Sequence, residues 1–335
     1  MELEQACRLA AEVIVEADAL LIGAGAGMGV DSGLPDFRGP EGFWRAYPAF
    51  RGRQFAEVSN PVWFQRDPEQ AWGFFGHRLN LYRVTAPHAG FEILRRWGEC
   101  RELGYFVFTS NVDGHFQRAG FSPDRILECH GSINFLQCVR GCTGAIWSAE
   151  NTAVSVDEAT IRARPPLPLC ADCGQLARPN VLMFHDSDWI ESRSEEQQTR
   201  YHRWLGQLGG KRLAIIELGA GIGVPTVRRE CEIREGTLIR VNPRDTDAPP
   251  GGIVLPLGAL QAIQAMDTIV GVSVRARCSV GRFGSHGFCL PEMRIRVRRR
   301  AVRVWPSRPL LLRVGDRVSR HEADHNPLRN AKRAA

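Results

Sequence analysis

Cys138 and Cys142 stand four positions apart, and Cys170 and Cys173 three apart with Gly174 next. Two such pairs of thiolates can close a tetrahedral Zn2+ site. Four sulfurs leave no open coordination position, so a metal held this way is structural. The remaining six cysteines read as packing residues. A second constellation lies near the start of the chain. The apolar run 19–22 opens into Gly23-Ala24-Gly25-Ala26-Gly27-Met28-Gly29, with four glycines in seven residues. Glycine permits positive φ and lets backbone N–H groups approach an anion without interference from a Cβ. A strand opening into such a loop is how α/β proteins hold the pyrophosphate of a dinucleotide. Taken alone, the glycines could also be a tight structural turn. The next residues are unusual. Ser32, Asp36, Phe37 and Arg38 arrive in a Pro/Gly-punctuated loop, where the helix of an ordinary dinucleotide fold would continue.

Further chemistry-bearing residues fall where apolar runs end. Ser110-Asn111-Val112-Asp113 comes after the run 105–109. An amide and a carboxylate there can fix a carboxamide and polarise a ribose, or simply cap a turn. His130 comes after a shorter run, 126–129, and precedes Gly131-Ser132. An imidazole with a pKa of about 6.5 is suited to take a hydroxyl proton at neutral pH. Gly219-Ala220-Gly221 ends the run 213–218, and Asn242-Pro243 ends 238–241. This clustering is expected at the carboxyl edge of a doubly wound parallel sheet.

Gly25-Ala26-Gly27, Ser32-Gly33, Pro35-Asp36-Phe37-Arg38-Gly39, Asn111-Val112-Asp113 and His130-Gly131, in that order, closely resemble the sirtuins, the NAD-dependent protein-lysine deacylases. The resemblance spans residues 5–267 and suggests a bacterial-type subgroup with variant motifs. It implies a Rossmann-like parallel-sheet lobe and a smaller lobe of helices plus a zinc module holding Cys138, Cys142, Cys170 and Cys173. It implies that His130, Asn111 and Asp113 are catalytic, His130 as the general base. NAD+ would be bound by Gly25, Ala26, Gly27, Asp36, Phe37, Arg38, Ser110, Asn111, Asp113, Gly219, Ala220, Gly221 and Asn242. Within Pro179–Phe184, residues Val181, Met183 and Phe184 would line up an acylated-lysine peptide by strand addition. The acyl oxygen would attack the nicotinamide ribose, nicotinamide would leave, and free lysine and O-acyl-ADP-ribose would result.

The family pattern is not kept throughout. Gly29 stands for serine, Ser110 for glutamine, Gly219-Ala220-Gly221 for Gly-Thr-Ser, and His185-Asp186 for Gly-Glu. The first cysteine pair encloses three residues where two are usual, and His115 is not expected to be catalytic. Phe75-Gly76-His77-Arg78 overlies the Tyr-x-x-Arg with which some sirtuins accept acidic acyl groups, but the tyrosine is absent. Arg78 is therefore either a surface charge or a contact for an acidic acyl chain. Two other functions stay open: mono-ADP-ribosyl transfer or NAD hydrolysis at the same site, and a non-enzymatic NAD-sensing or nucleic-acid-binding role.

The elements needed to position these residues can be read coarsely. Residues 2–17 and 259–267 look helical, as do 87–98. Residues 41–84 form an aromatic-rich helical insertion, with starts at Asn60-Pro61 and Asp67-Pro68. Its rings read as a core, part of which could line an acyl channel. The zinc module is placed at 133–179, and the parallel-sheet lobe at 1–40, 85–132 and 180–267. Residues 268–335 read as a basic, disordered tail. Residues 271–335 hold 15 Arg and 1 Lys against 4 acidic residues, leaving 27 basic and 33 acidic in residues 1–270. The basic segment could meet nucleic acid or acidic partners. No apolar stretch approaches the roughly 18 residues of a membrane span, and the acidic N-terminus lacks a signal-peptide pattern. A cytoplasmic protein is expected.

Overall fold

The computed structural model describes residues 2–36 and 39–280. The first amphipathic stretch forms α1 (Leu3–Glu16), burying Ala6, Ala10 and Ile14. β1 (Ala19–Ala24) is buried along its whole length, as a strand covered on both faces must be. The chain then turns into a short 3-10 helix, Ala26–Ser32, in place of a long helix. The aromatic insertion folds as α2 (Gly39–Ala46), α3 (Phe55–Val58), α4 (Trp63–Arg66) and α5 (Pro68–Val84). Asp67 caps α5 by accepting the Gln70 N–H at 3.2 Å, with Pro68 at the first helical position. Then come α6 (Ala89–Glu99), β2 (Tyr105–Thr109), α7 (His115–Arg118) and β3 (Ile126–Glu128).

Five short strands come next: β4 (Gly131–Cys138), β5 (Ile146–Ser148), β6 (Ser155–Asp157), β7 (Arg162–Arg164) and β8 (Ala177–Val181). The chain returns to the large lobe through α8 (Ser192–Leu205), β9 (Leu213–Leu218), α9 (Thr226–Glu232), β10 (Thr237–Val241), β11 (Ile253–Leu255) and α10 (Ala259–Val280). The closing helix thus runs on past residue 267, where the sequence pattern places the start of the tail. The strongly basic stretch 281–335 lies outside the described residues.

The large sheet has the order β11-β10-β9-β1-β2-β3 with every pairing parallel. One face packs on α1, α6 and α10 through Leu20, Ile22, Leu94, Ile263 and Met266. The other packs on α8 and α9 through Leu21, Phe106, Tyr201, Trp204 and Val227. From β1 the chain proceeds outward to β2 and β3, then restarts on the other side of β1 with β9. The order reverses between β1 and β9, and such a switch point opens a crevice at the strands' carboxyl ends. The small lobe combines α2–α5 with an antiparallel sheet, β5-β4-β8, and the β6-β7 hairpin. Its core is aromatic: Tyr47 and Phe74 meet edge to face at 5.1 Å, and Trp72 donates to the Ala177 carbonyl at 2.9 Å. That bond ties the helical insertion to the zinc module. Among the described residues no helix is long and apolar enough to cross a membrane.

Candidate active site

A cavity of about 640 Å3 opens at the switch point. Its floor is the turn after β1, and the turn after β9 abuts it backbone to backbone. A Cβ on Gly25 would come within 2.6 Å of the Ala220 Cα, and one on Gly27 within 2.7 Å of the Gly219 Cα. Gly219 has φ +59°, and a Cβ there would sit 2.4 Å from the Gly27 Cα. The two Gly-Ala-Gly turns therefore interlock, joined by a Gly27 N–H bond to the Gly219 carbonyl at 3.0 Å. Gly25, Ala26, Asp36, Gly219, Ala220 and Gly221 face the cavity, whereas Gly27 lies behind it as packing. Gly29 also lines the wall, and a Cβ there would press on Leu34 at 3.2 Å. The family's serine would need Leu34 to yield.

Ser110, Asn111 and Asp113 reach the cavity from the end of β2. The Asn111 side-chain amide donates to the Gly25 carbonyl at 2.9 Å, bracing the glycine turn. Asp113 accepts the His115 N–H at 2.8 Å, so the turn-capping and cavity-facing readings both hold for this carboxylate. Burial pushes its carboxyl above the usual carboxylate range, with His115 opposing. His115 itself is fully buried and is not part of the wall. His130, half-buried, projects from the end of β3. Loss of water around its ring pushes the imidazolium pKa down to about 4, so the ring is neutral at pH 7. Gly131 has φ +73°, and a Cβ there would meet the Asn180 carbonyl at 2.2 Å. Only glycine lets β4 start this close to β8, and that approach seats His130 beside Val181 and Met183.

Val181, Met183 and Phe184 form the far wall with Phe55. Phe184 meets Phe55 edge to face at 5.8 Å, and its N–H donates to the Ser59 carbonyl at 3.0 Å. Most insertion aromatics are core, as their spacing suggests, while Phe55 and Tyr82 reach the cavity. Arg78 is not a surface charge. It is 6% exposed, lines the cavity, and donates through Nε to the Tyr82 hydroxyl at 2.9 Å. Its guanidinium lies 5.3 Å from the Phe74 ring centre and 5.4 Å from that of Tyr82.

Asn242 does not face the cavity. It is fully buried, donates to the Ala220 carbonyl at 2.9 Å, and accepts the N–H groups of Arg244 at 3.1 Å and Asp245 at 3.0 Å. It braces the Gly219–Gly221 turn and the turn that follows β10, and Arg244 and Asp245 line the cavity instead. Sequence reasoning missed Arg244, whose guanidinium pairs with Asp36 at 2.6 Å across the mouth. Their separation in sequence carried no signal of this contact. Phe37 and Arg38 lie outside the described residues.

The four cysteines do come together. Their sulfurs lie within 4.8 Å of one another, with Cys138 to Cys173 at 3.6 Å and Cys142 to Cys170 at 3.7 Å. Zn–S bonds of about 2.3 Å give tetrahedral sulfur–sulfur edges of about 3.8 Å. The cluster is compatible with a structural Zn2+.

The family model described as Sir2 family matches residues 25–200, and the chain belongs to the Sir2 family. It is 29% identical over 245 residues to NAD-dependent protein deacylase 1 of Archaeoglobus fulgidus, covering 71% of this chain and 87% of that one. It is 30% identical over 234 residues to a probable bifunctional ADP-ribose hydrolase/ADP-ribosyltransferase of Fusarium oxysporum f. sp. cubense, covering 66% of this chain and 38% of that one. Among solved structures it is similar to a Sir2 homologue–NAD complex, with a TM-score of 0.57 and 25% identity over 79% of this chain and 93% of the other.

Proposed function

We propose that this chain is an NAD-dependent protein-lysine deacylase that transfers the acyl group to ADP-ribose and releases nicotinamide. The observation that carries it is the convergence of His130, Asn111 and Asp113 on one cavity floored by two interlocked glycine turns. Those turns admit no Cβ where they meet, which suits a dinucleotide laid against backbone. NAD+ supplies an electrophilic ribose carbon and a nicotinamide leaving group. Gly25, Ala26, Asp36, Ser110, Gly219, Ala220 and Gly221 would hold it, with Gly27 joining the two turns and Asn242 bracing the second. Phe37 and Arg38 are carried by the family resemblance alone.

Asn111 and Asp113 orient the reacting end. His130, neutral at pH 7, is positioned to accept a hydroxyl proton at a ring nitrogen. Val181, Met183 and Phe184 present the acylated peptide, while Phe55 and the neighbouring rings shelter the acyl chain from water. Arg78 favours a finer reading. A buried guanidinium in this wall is suited to an acyl chain ending in carboxylate, so succinyl- and malonyl-lysine belong among the candidate substrates. A cytoplasmic location suits a site built on free thiols.

Mono-ADP-ribosyl transfer or NAD hydrolysis is the second reading, supported by the likeness to the Fusarium protein. Nucleic-acid binding rested on the basic tail, whose strongly basic stretch 281–335 lies outside the described residues. Mass spectrometry after incubation with NAD+ and acetyl-, succinyl- and lipoyl-lysine peptides separates the two enzymatic readings. Deacylation is expected to yield equal amounts of free peptide and O-acyl-ADP-ribose. His130→Ala is expected to lose about 10^3-fold in rate while still binding NAD+. Nicotinamide release without deacylated peptide would replace the first reading with the second.

A further inference from the structure

The wall that faces the peptide is built from 181–184, yet sheet pairing ends as that wall begins. β8 pairs Val181 with Gly131, and Leu182 donates to the His130 carbonyl at 3.0 Å. Beyond Leu182 the backbone leaves the sheet and passes through a turn in which His185 has φ +58°. That left-handed conformation suits glycine and costs a histidine about 1 kcal/mol. Something must hold the turn against this strain.

Two buried side chains outside the cavity wall do so. Arg178, within β8, is 2% exposed. Its guanidinium spans both oxygens of Asp186, reaching Oδ1 at 3.1 Å and bonding Oδ2 through its second amino group. The same amino group donates to the Val181 carbonyl at 3.2 Å. The Asp186 side chain is fully buried, and it accepts the N–H groups of Met183 at 3.3 Å and Asp188 at 3.2 Å. One carboxylate therefore binds the strand before the turn, a residue of the cavity wall and the chain leaving the turn. A bidentate guanidinium–carboxylate pair sets orientation as well as distance. Removing one partner leaves the other charged and buried, which such a site tolerates poorly.

We propose that Arg178 and Asp186 are positioning residues for the acylated peptide, setting the course of 181–184 without touching substrate. The proposal rests on the deacylase reading. The glycine turns that floor the cofactor end are held by their own backbone contacts, so loss of the pair acts on peptide and not on NAD+.

The test uses the full chain with Asp186→Asn, Asp186→Glu and Arg178→Lys. Binding of fluorescently labelled acetyl- and succinyl-lysine peptides is followed by anisotropy, NAD+ binding by calorimetry, and KM for each by steady-state assay. Asp186→Asn is expected to weaken the peptide about tenfold or more in both Kd and KM, with NAD+ affinity unchanged within about twofold. Asp186→Glu, which keeps the carboxylate, is expected to recover most of the loss. Should Asp186→Asn not fold, Arg178→Lys carries the same comparison, since it keeps the charge and loses the two-pronged contact. Equal weakening of peptide and NAD+, or no change in either, overturns the positioning role. Wild-type protein that binds no acylated peptide overturns the deacylase reading and takes this role with it. Wild-type turnover matched by the variants overturns the positioning role alone.

Discussion

The glycine turns at the edge of the large sheet and the cysteine cluster of the small lobe both hold irregular backbone, by opposite means. At Gly25, Gly27 and Gly219 the backbone is held by proximity, with no room for a Cβ and a buried parallel sheet beneath. At the cysteines the support is thinner. Cys142 and Cys173 are exposed, and four of the module's strands, among them β5, β6 and β7, are interrupted by or consist of partly exposed residues. The glycine turns are shaped by sterics against a deep core, whereas the Cys142 and Cys173 side of the cluster lies outside the small lobe's core and relies on a cross-link to Cys138 and Cys170, which are buried.

The largest effect expected from that contrast is at the cysteines. Cys170→Ser should remove bound zinc and unfold the β4-β5-β8 module, because the binding energy of a structural zinc, on the order of 10 kcal/mol, is folding energy. Because β4 begins directly after His130, deacylation should vanish with it. Metal analysis and circular dichroism would show the loss, and a variant that stays folded and active without zinc would break the comparison. A smaller effect is expected at the turns. Gly27→Ala should cost about 1–3 kcal/mol through overpacking against Gly219 and raise the KM for NAD+. Gly33, with φ +93° but open space around it, serves as control, and its alanine variant should cost about 1 kcal/mol with little effect on NAD+. Equal effects at the two glycines on the KM for NAD+ would mean that close approach is not what shapes the floor.

The smallest and most graded effect is on pH. His130 has its folded pKa depressed to about 4, against about 6.5 unfolded. Between those values the unfolded chain binds more protons, so His130 contributes stability above about pH 6.5 that is lost as pH falls toward 4. Thermal melts across that window should fall more steeply for wild type than for His130→Ala. Parallel curves would mean that His130 is as hydrated in the folded chain as in the unfolded one.

The features legible without a structure were local. The cysteine pairs carry their coordination in their spacing, and the apolar runs ending in Gly-Ala-Gly, Asn111-Val112-Asp113 and His130 mark the carboxyl edge of the sheet. Each of these signals lies within a few residues of chain, where strand length, turn chemistry and donor type are constrained together. Arg78 was ambiguous because a charge in a helix is usually solvated, and only the packing of Phe74 and Tyr82 around it shows a buried cation. Asn242 was matched to a ligand by its place in the order, but its hydrogen-bonding groups are occupied by Ala220, Arg244 and Asp245.

The sequence by itself determined the α/β class, the cysteine cluster and most of the residues that converge on the cavity, because strand ends and cysteine-pair spacing are short-range properties. Tertiary structure alone decided which of those residues face the cavity and which stand behind it. It also brought Asp36 to Arg244 and locked Gly27 against Gly219. Contacts between segments some 200 residues apart depend on how the sheet and its two lobes pack, and no local pattern encodes that.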